Sequence, residues 1–248
     1  MSTKVSIMLI KTRGIIFRTL KYSETSIIAD IYTEEKGLRT YIISGVRSKK
    51  AKFSASLLQL MTLVEMVAYH RDDREMSRIK ELKSAKVYQS IPFDVVKGAI
   101  GMFMIELSRK VIREHEENPA LFKFLFDTFN YLDTTKLPVA NLHLSFMLQL
   151  TAFLGFMPHG KYSIEQPFFD MQEGVFSQDA PKHLHFLEEE MSQMLSQFLH
   201  CNREDCHTIV LQRQKRNQLL NELITFYRLH IENMTPLNAH QILQVVLD

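Results

Sequence analysis

Four cations, Arg47, Lys49, Lys50 and Lys52, crowd into six residues of the stretch "GVRSKKAKF", residues 45–53. Such a cluster supports one kind of chemistry, the neutralisation of phosphates by fixed charge, with no covalent step. The competing reading is a solvated loop, which is the default for any single lysine in it. Bond-making residue patterns are missing from the chain: there is no G-x-x-x-x-G-K-[ST], no G-x-G-x-x-G, no H-E-x-x-H and no G-x-S-x-G. Two groupings remain. "REHEENP", residues 113–119, sets His115 among Glu114, Glu116 and Glu117, but neighbours on a helix point in different directions and a charge run at a helix end is normally solvated. "HCNREDCH", residues 200–207, holds the right ligand types for zinc in His200, Cys201, Cys206 and His207, yet lacks a C-x-x-C knuckle. It reads better as a helical corner, with Asn202 capping a helix that carries Glu204 and Asp205 in its first turn. No catalytic residue, metal site or cofactor is assigned.

The charge is unevenly spread. Residues 1–90 hold 17 Lys and Arg against 9 Asp and Glu, a balance of +8, whereas residues 91–248 hold 13 against 19, a balance of −6. Polyanion contact therefore belongs near the N-terminus. Beyond the loop, the first part contributes Lys11, Arg13, Arg18, Lys21 and Arg39, interleaved with Phe17, Tyr22, Tyr41 and Phe53. Cations track a backbone, and exposed aromatic rings stack on unpaired bases. No apolar run approaches the roughly 18–20 residues that cross a bilayer. The run "VSIMLI" is too short for the core of a signal peptide. Two cysteines make no disulfide framework, so the chain reads as a cytoplasmic protein.

The positioning elements follow from the hydrophobic pattern. "TRGIIFRTL", "SIIADIYT", "GLRTYIIS", "MTLVEMVAY" and "SRIKELKSAKVY" read as five short strands, joined by the polar connectors "KYSE", "TEEKG" and "RDDRE". Five strands in under 90 residues suit a small closed barrel, because closure removes exposed edges. After "SIPFD" the period becomes helical. Helices are expected over residues 95–116, from Pro119, over 139–157, 181–199, 205–229 and 237–246. The third is apolar nearly all round and should lie at the centre of a bundle, stopped by Gly155 and Pro158. An insert between the third and fourth, "HGKYSIEQPFFDMQEGVF", reads as strand, turn, strand, with Phe168, Phe169, Val175 and Phe176 flanking the turn.

Residues 11–66 resemble the opening of bacterial RecO, the recombination mediator of DNA repair. The shared features are Lys11-Thr12-Arg13-Gly14 entering the first strand, Tyr22-x-Glu24-Thr25-Ser26 before the second, Tyr32-Thr33 and Gly37 around the next turn, and Gly45-x-Arg47 leading to a basic loop and Phe53. "FLGFMP" and the "F..EG.F" pattern extend the resemblance into the second half. It implies an α+β chain: an N-terminal OB-fold barrel over residues 1–90, then a helical body over 91–248 with a small inserted module at about 157–180. In many members that module holds zinc through four cysteines. This chain has none between Gly155 and Ala180, so a zinc-free module packed by phenylalanines is expected.

The resemblance further implies binding of single- and double-stranded DNA and annealing of complementary strands. Its partners would be RecR and the C-terminal tail of single-strand-binding protein, with RecA loaded indirectly, in a bacterial cytoplasm at the nucleoid and without a membrane or an enzymatic step. The residues expected at the DNA are Lys11, Arg13, Arg18, Lys21, Tyr22, Arg39, Arg47, Lys49, Lys50, Lys52 and Phe53. For the tail, Arg109, Arg113, Arg213 and Arg216 are candidates. An OB-fold RNA-binding or translation-associated protein is the alternative, separated by preference for RNA over DNA of matched sequence.

Overall fold

A computed structural model of the chain describes residues 8–46, 53–70, 76–113 and 115–247. The loop cations Arg47, Lys49, Lys50 and Lys52, the connector at 71–75 and Glu114 lie outside the described residues. Alternating apolar residues form β1 (Met8–Lys21), β2 (Ile27–Thr33), β3 (Gly37–Ile43), β4 (Leu63–His70) and β5 (Met76–Ser84). They close in the order β1-β2-β3-β5-β4, with β3 and β5 parallel and every other pair antiparallel. This is the expected OB-fold barrel. At 14 residues, β1 is long enough to pair with β4 through its first half and with β2 through its second, which is what closes the sheet.

Side-chain alternation separates the wall from the filling. Ile16, Ala29, Ile31, Tyr41, Ile43, Val64, Met66, Ala68, Ile79 and Leu82 point inward and make one core cluster. Gly14 sits where that filling is tightest: a Cβ there would stand 2.6 Å from Ile31 Cγ2. A bulge between Ile16 and Arg18 breaks the alternation, so Phe17 turns to the outer wall and stacks on Tyr32 at 5.5 Å between ring centroids. Tyr32 in turn stacks on Phe122 of α2 (Pro119–Thr134). That helix belongs to the barrel's compact unit, residues 1–93 with 112–134, rather than to the unit of 94–111 with 135–248. This division differs from a simple split after residue 90. Its physical cause is apolar: Tyr32 and Phe122 are each at most 1% exposed.

The segment after β5 is fastened to the same helix. Asp133 accepts hydrogen bonds from the N–H groups of Gln89, Ser90 and Ile91, at 2.8–3.1 Å. Lys86 bonds Asn130, and Tyr88 donates its hydroxyl proton to the Met61 carbonyl.

The other unit is built from α1 (Val95–Val111), α3 (Leu142–Leu154), α4 (Glu189–Leu199), α5 (Arg213–His230) and α6 (Ala239–Val246). As expected, α3 is buried along most of its length and ends at Gly155 in the left-handed region, φ 83°. The fully buried Tyr227 donates to the Met147 carbonyl across the bundle. The largest differences from the sequence reading are at α4 and α5, whose starts come later than expected, at Glu189 and Arg213. Residues 186–187 form strand β8 (Phe186–Leu187) and pair with β6 (Phe168–Asp170), which also pairs with β7 (Val175–Ser177). The inserted module thus runs on to Leu187 and delays α4. Likewise, only a short turn at Cys206–Thr208 precedes α5, because the Asn141 side chain takes the Cys206 and Ile209 carbonyls. Within the module Phe169 packs on Phe176 at 5.0 Å and Phe168 on Phe186 at 5.9 Å.

Candidate nucleic-acid interface

The barrel's cations do not all have the same freedom. Lys11 and Arg13 point outward from β1, since Thr12 and Gly14 face in against Met66 and Val64. Arg13 is engaged twice over. Its guanidinium donates to both carboxylate oxygens of Glu34, at 2.6 and 2.8 Å, and lies over the rings of Phe122 and Phe126, at 5.5 and 4.9 Å. The hydrogen bond from Arg13 holds the Glu34 carboxyl below its usual range, and Glu34 raises Arg13 in return. Arg18 is paired across the strands with Asp30 at 2.6 Å, and Asp30 also accepts from Thr40. Both arginines have their charge answered within the fold.

Lys11 and Lys21 are exposed and form no ion pair among the described residues. Tyr22 follows Lys21 into the β1–β2 loop and is 58% exposed, well placed to offer a ring face. Arg39 shares the inward side of β3 with Tyr41, and its Nε is buried without a hydrogen-bond partner among the described residues. Burial pushes the Tyr41 hydroxyl up to about 12, with the Arg39 charge and the Thr33 hydrogen bond opposing that rise. Phe53 corrects an expectation. It is 5% exposed and packed in the barrel core, so its ring is not available to stack on a base. The reason lies in the fold: Phe53 joins Val46 and Leu58 in the core cluster, so its ring is part of the barrel's filling.

Arg78 stands outside the sequence-derived set. On β5, Ser77 and Ile79 are buried while Met76 and Arg78 are exposed, and that alternation is the signal that finds it. In the helical unit, Arg216 donates to Asn141 and to the Leu211 carbonyl, so it is no longer a free rim cation.

Two family profiles cover this architecture. One, described as Recombination protein O N terminal, matches residues 8–88, and the other, Recombination protein O C terminal, matches residues 92–238. The chain belongs to the RecO family. Among its relatives are proteins named DNA repair protein RecO from Bacteroides fragilis, 35% identical over 97% of this chain and 100% of theirs, and from Christiangramia forsetii, 39% identical over 91% and 93%. A third, from Phocaeicola vulgatus, is 34% identical over 96% of this chain and 98% of its own. The RecO N-terminal profile spans all five barrel strands, which places every described cation discussed above for the barrel inside it.

The His–Cys corner of this RecO-family chain is a structural turn. Cys206 is 2% exposed, and burial pushes its thiol up to about 12, with the nearby Cys201, Glu204 and Asp205 adding to the rise. His200 and His207 each set Nδ1 against a main-chain carbonyl, those of Ser196 and Glu204. Asn202 does not cap a helix there; residues 202–205 are a turn closed by the Asp205 N–H on the Asn202 carbonyl. His115 likewise serves the fold, with Nδ1 2.8 Å from the Leu38 carbonyl at the edge of β3. No helix among the described residues is long and apolar enough to cross a membrane.

Proposed function

We propose that this chain is a mediator of DNA repair and recombination that binds single- and double-stranded DNA and brings complementary strands together. With RecR, it would help RecA onto strands coated with single-strand-binding protein, whose C-terminal tail is its contact, in the cytoplasm at the nucleoid. The observation that carries this reading is a closed five-stranded barrel in the charge-rich part of the chain, with Lys11 and Lys21 exposed and unpaired among the described residues. Membership of the RecO family and the names of the relatives point the same way.

The mechanism is electrostatic. Two strands repel through their phosphates; Lys11, Lys21 and the loop cations Arg47, Lys49, Lys50 and Lys52 lower that repulsion and release condensed counterions, whereas Arg39, on the inward side of β3, is not part of the track. Tyr22 supplies a stacking face. Arg13 and Arg18, answered by Glu34 and Asp30, sit beside this track and hold its strands in register. Nothing in this scheme calls for a covalent step, a cofactor or a metal. The direct test is annealing of complementary strands already coated with single-strand-binding protein. Faster annealing than without the chain is expected, and no acceleration would overturn the reading. A matched RNA pair annealed in preference to DNA would favour a translation-associated role instead.

A further inference from the structure

The last described helix of the helical body, α6, starts without a cap of its own. Asn238 stands at the capping position, yet its side chain makes no capping hydrogen bond. The N–H groups left over at the start of a helix are met from α1 instead. Glu106 accepts from the Asn238 N–H at 3.0 and 3.1 Å and from the Ala239 N–H at 2.7 Å. Lys110, one turn further along α1, pairs with Glu106 at 3.0 Å and bonds the Pro236 carbonyl. Both side chains are largely closed off, Glu106 at 13% exposure and Lys110 at 11%. Burial alone would raise the Glu106 carboxyl, but the two N–H groups and Lys110 outweigh it and hold the group below its ordinary value.

Away from that fastening, little holds α6 down. Leu243 is the one buried residue of its eight, with Leu237 and Leu247 buried on either side, whereas α3 buries nine of its thirteen. The outer face of α6 carries Ile242 and Val245, 62% and 68% exposed. A side-chain hydrogen bond from Gln244 to Asn221, 3.1 Å on exposed ground, ties it to α5. The RecO C-terminal profile stops at residue 238, so the part of the helical body that it matches does not include α6. Few buried apolar contacts and a polar fastening mark an element that opens locally, at a lower free energy than global unfolding.

We propose that α6 is a strap that opens and closes over α1 as a unit while the rest of the helical body stays folded, with Glu106 as its clasp. By helical spacing Ala99, Met102 and Phe103 share the face of α1 that carries Glu106 and Lys110, and α6 packs on α1. Ala99 and Phe103 are buried in the closed form and Met102 is 40% exposed. Phe103 also meets His143 of α3 edge-on at 6.0 Å, a contact that does not involve the strap. Opening therefore bares an apolar strip on α1 that ends in one acid and one base, a change of surface without a change of fold. The strap stands independently of how the barrel meets nucleic acid.

The test is hydrogen–deuterium exchange on the full chain, read by mass spectrometry in peptides that cover α6 and α3. In the unaltered protein the α6 amides should be protected, yet exchange roughly a hundredfold faster than those of α3. Glu106→Gln keeps the shape of the side chain and removes its charge; it should quicken α6 about tenfold more and leave α3 unchanged. A second variant, Leu243→Ala, loosens the strap from its apolar side and should also quicken α6 alone. A thiol introduced by Ala99→Cys reports the bared strip: its labelling by a maleimide, read on its own peptide, should speed up by the same factor when Glu106→Gln is added. Equal exchange of α6 and α3 in the unaltered chain, or equal quickening of both in either variant, overturns the proposal, because α6 would then open only with the whole unit. An α6 without any protection overturns it as well, since the strap would not close. No quickening of α6 in Glu106→Gln removes Glu106 as the clasp, and an unchanged labelling rate at position 99 shows that α6 does not cover that strip.

Discussion

On one part of the barrel's outer wall, Ile15, Phe17 and Tyr32 are fully buried, with Tyr32 stacked on Phe122 of α2 and Arg13 spread over Phe122 and Phe126. On another, Leu20, Ile28 and Ile42 face outward at 47% exposure and half-burial. Both combine apolar residues with an arginine, yet their uses differ. The first has a helix laid over it and a carboxylate, Glu34, that answers its cation. Along the second, Arg78, in register with Ile42, is exposed and has no ion-pair partner among the described residues. Apolar surface and positive charge beside each other therefore do not define a ligand site. What separates the two regions is whether the fold itself has already satisfied them.

The largest expected effect is on the covered side. Phe122→Ala removes a fully buried ring and should cost about 3–5 kcal/mol in chemical denaturation. On the more open part of the same wall, Ile42→Thr at a half-buried position should stay within about 1 kcal/mol. If the two variants destabilise equally, the distinction collapses.

Next in size is Asp133→Ala, which strips the acceptors of three main-chain N–H groups and should cost about 2–3 kcal/mol. Burial alone would raise the Asp133 carboxyl, but the hydrogen bonds from Ser90, Gln89 and Ile91 outweigh it and leave the group below its ordinary value. Its contribution is thus complete above the unfolded value near pH 4 and is lost as pH falls through the lower folded value. The variant should lose this part of the acid destabilisation in melts taken between about pH 5 and 2.

Arg13→Ala is smaller. The Arg13 and Glu34 side chains are 43% and 28% exposed, so solvent screens the pair, and about 1 kcal/mol is expected with the cation–π contacts included. DNA affinity should change little. Smallest in stability, yet visible in binding, is Lys11→Ala with Lys21→Ala. Melting should show no measurable shift, while the salt slope on single strands becomes shallower by about 1.4, roughly 0.7 for each phosphate no longer neutralised.

The strands were legible because alternation survives in "GLRTYIIS" and "TRGIIFRTL", and α3 because its apolar residues leave no polar face. The bulge at Ile16–Arg18 was not, since one extra residue reverses which side Phe17 takes and a period of two cannot register it. For the same reason Phe53 reads alike in sequence whether it enters the core or the solvent. The pairing of Arg13 with Glu34 and of Arg18 with Asp30 spans 21 and 12 residues. Such distant partners come from strand register, and register is set by closure of the barrel. Local composition alone could mark the basic half of the chain; only the folded wall shows which of its cations remain unanswered.

One measurement bears on all of this. Lys49, Lys50 and Lys52 are changed to Glu together, and binding to a single-stranded oligonucleotide is titrated at several salt concentrations. The expected result is weaker binding with the slope of log affinity on log salt shallower by about 2, three phosphates at roughly 0.7 each. An affinity and slope equal to those of the unaltered chain would mean that the basic loop does not hold a nucleic-acid backbone.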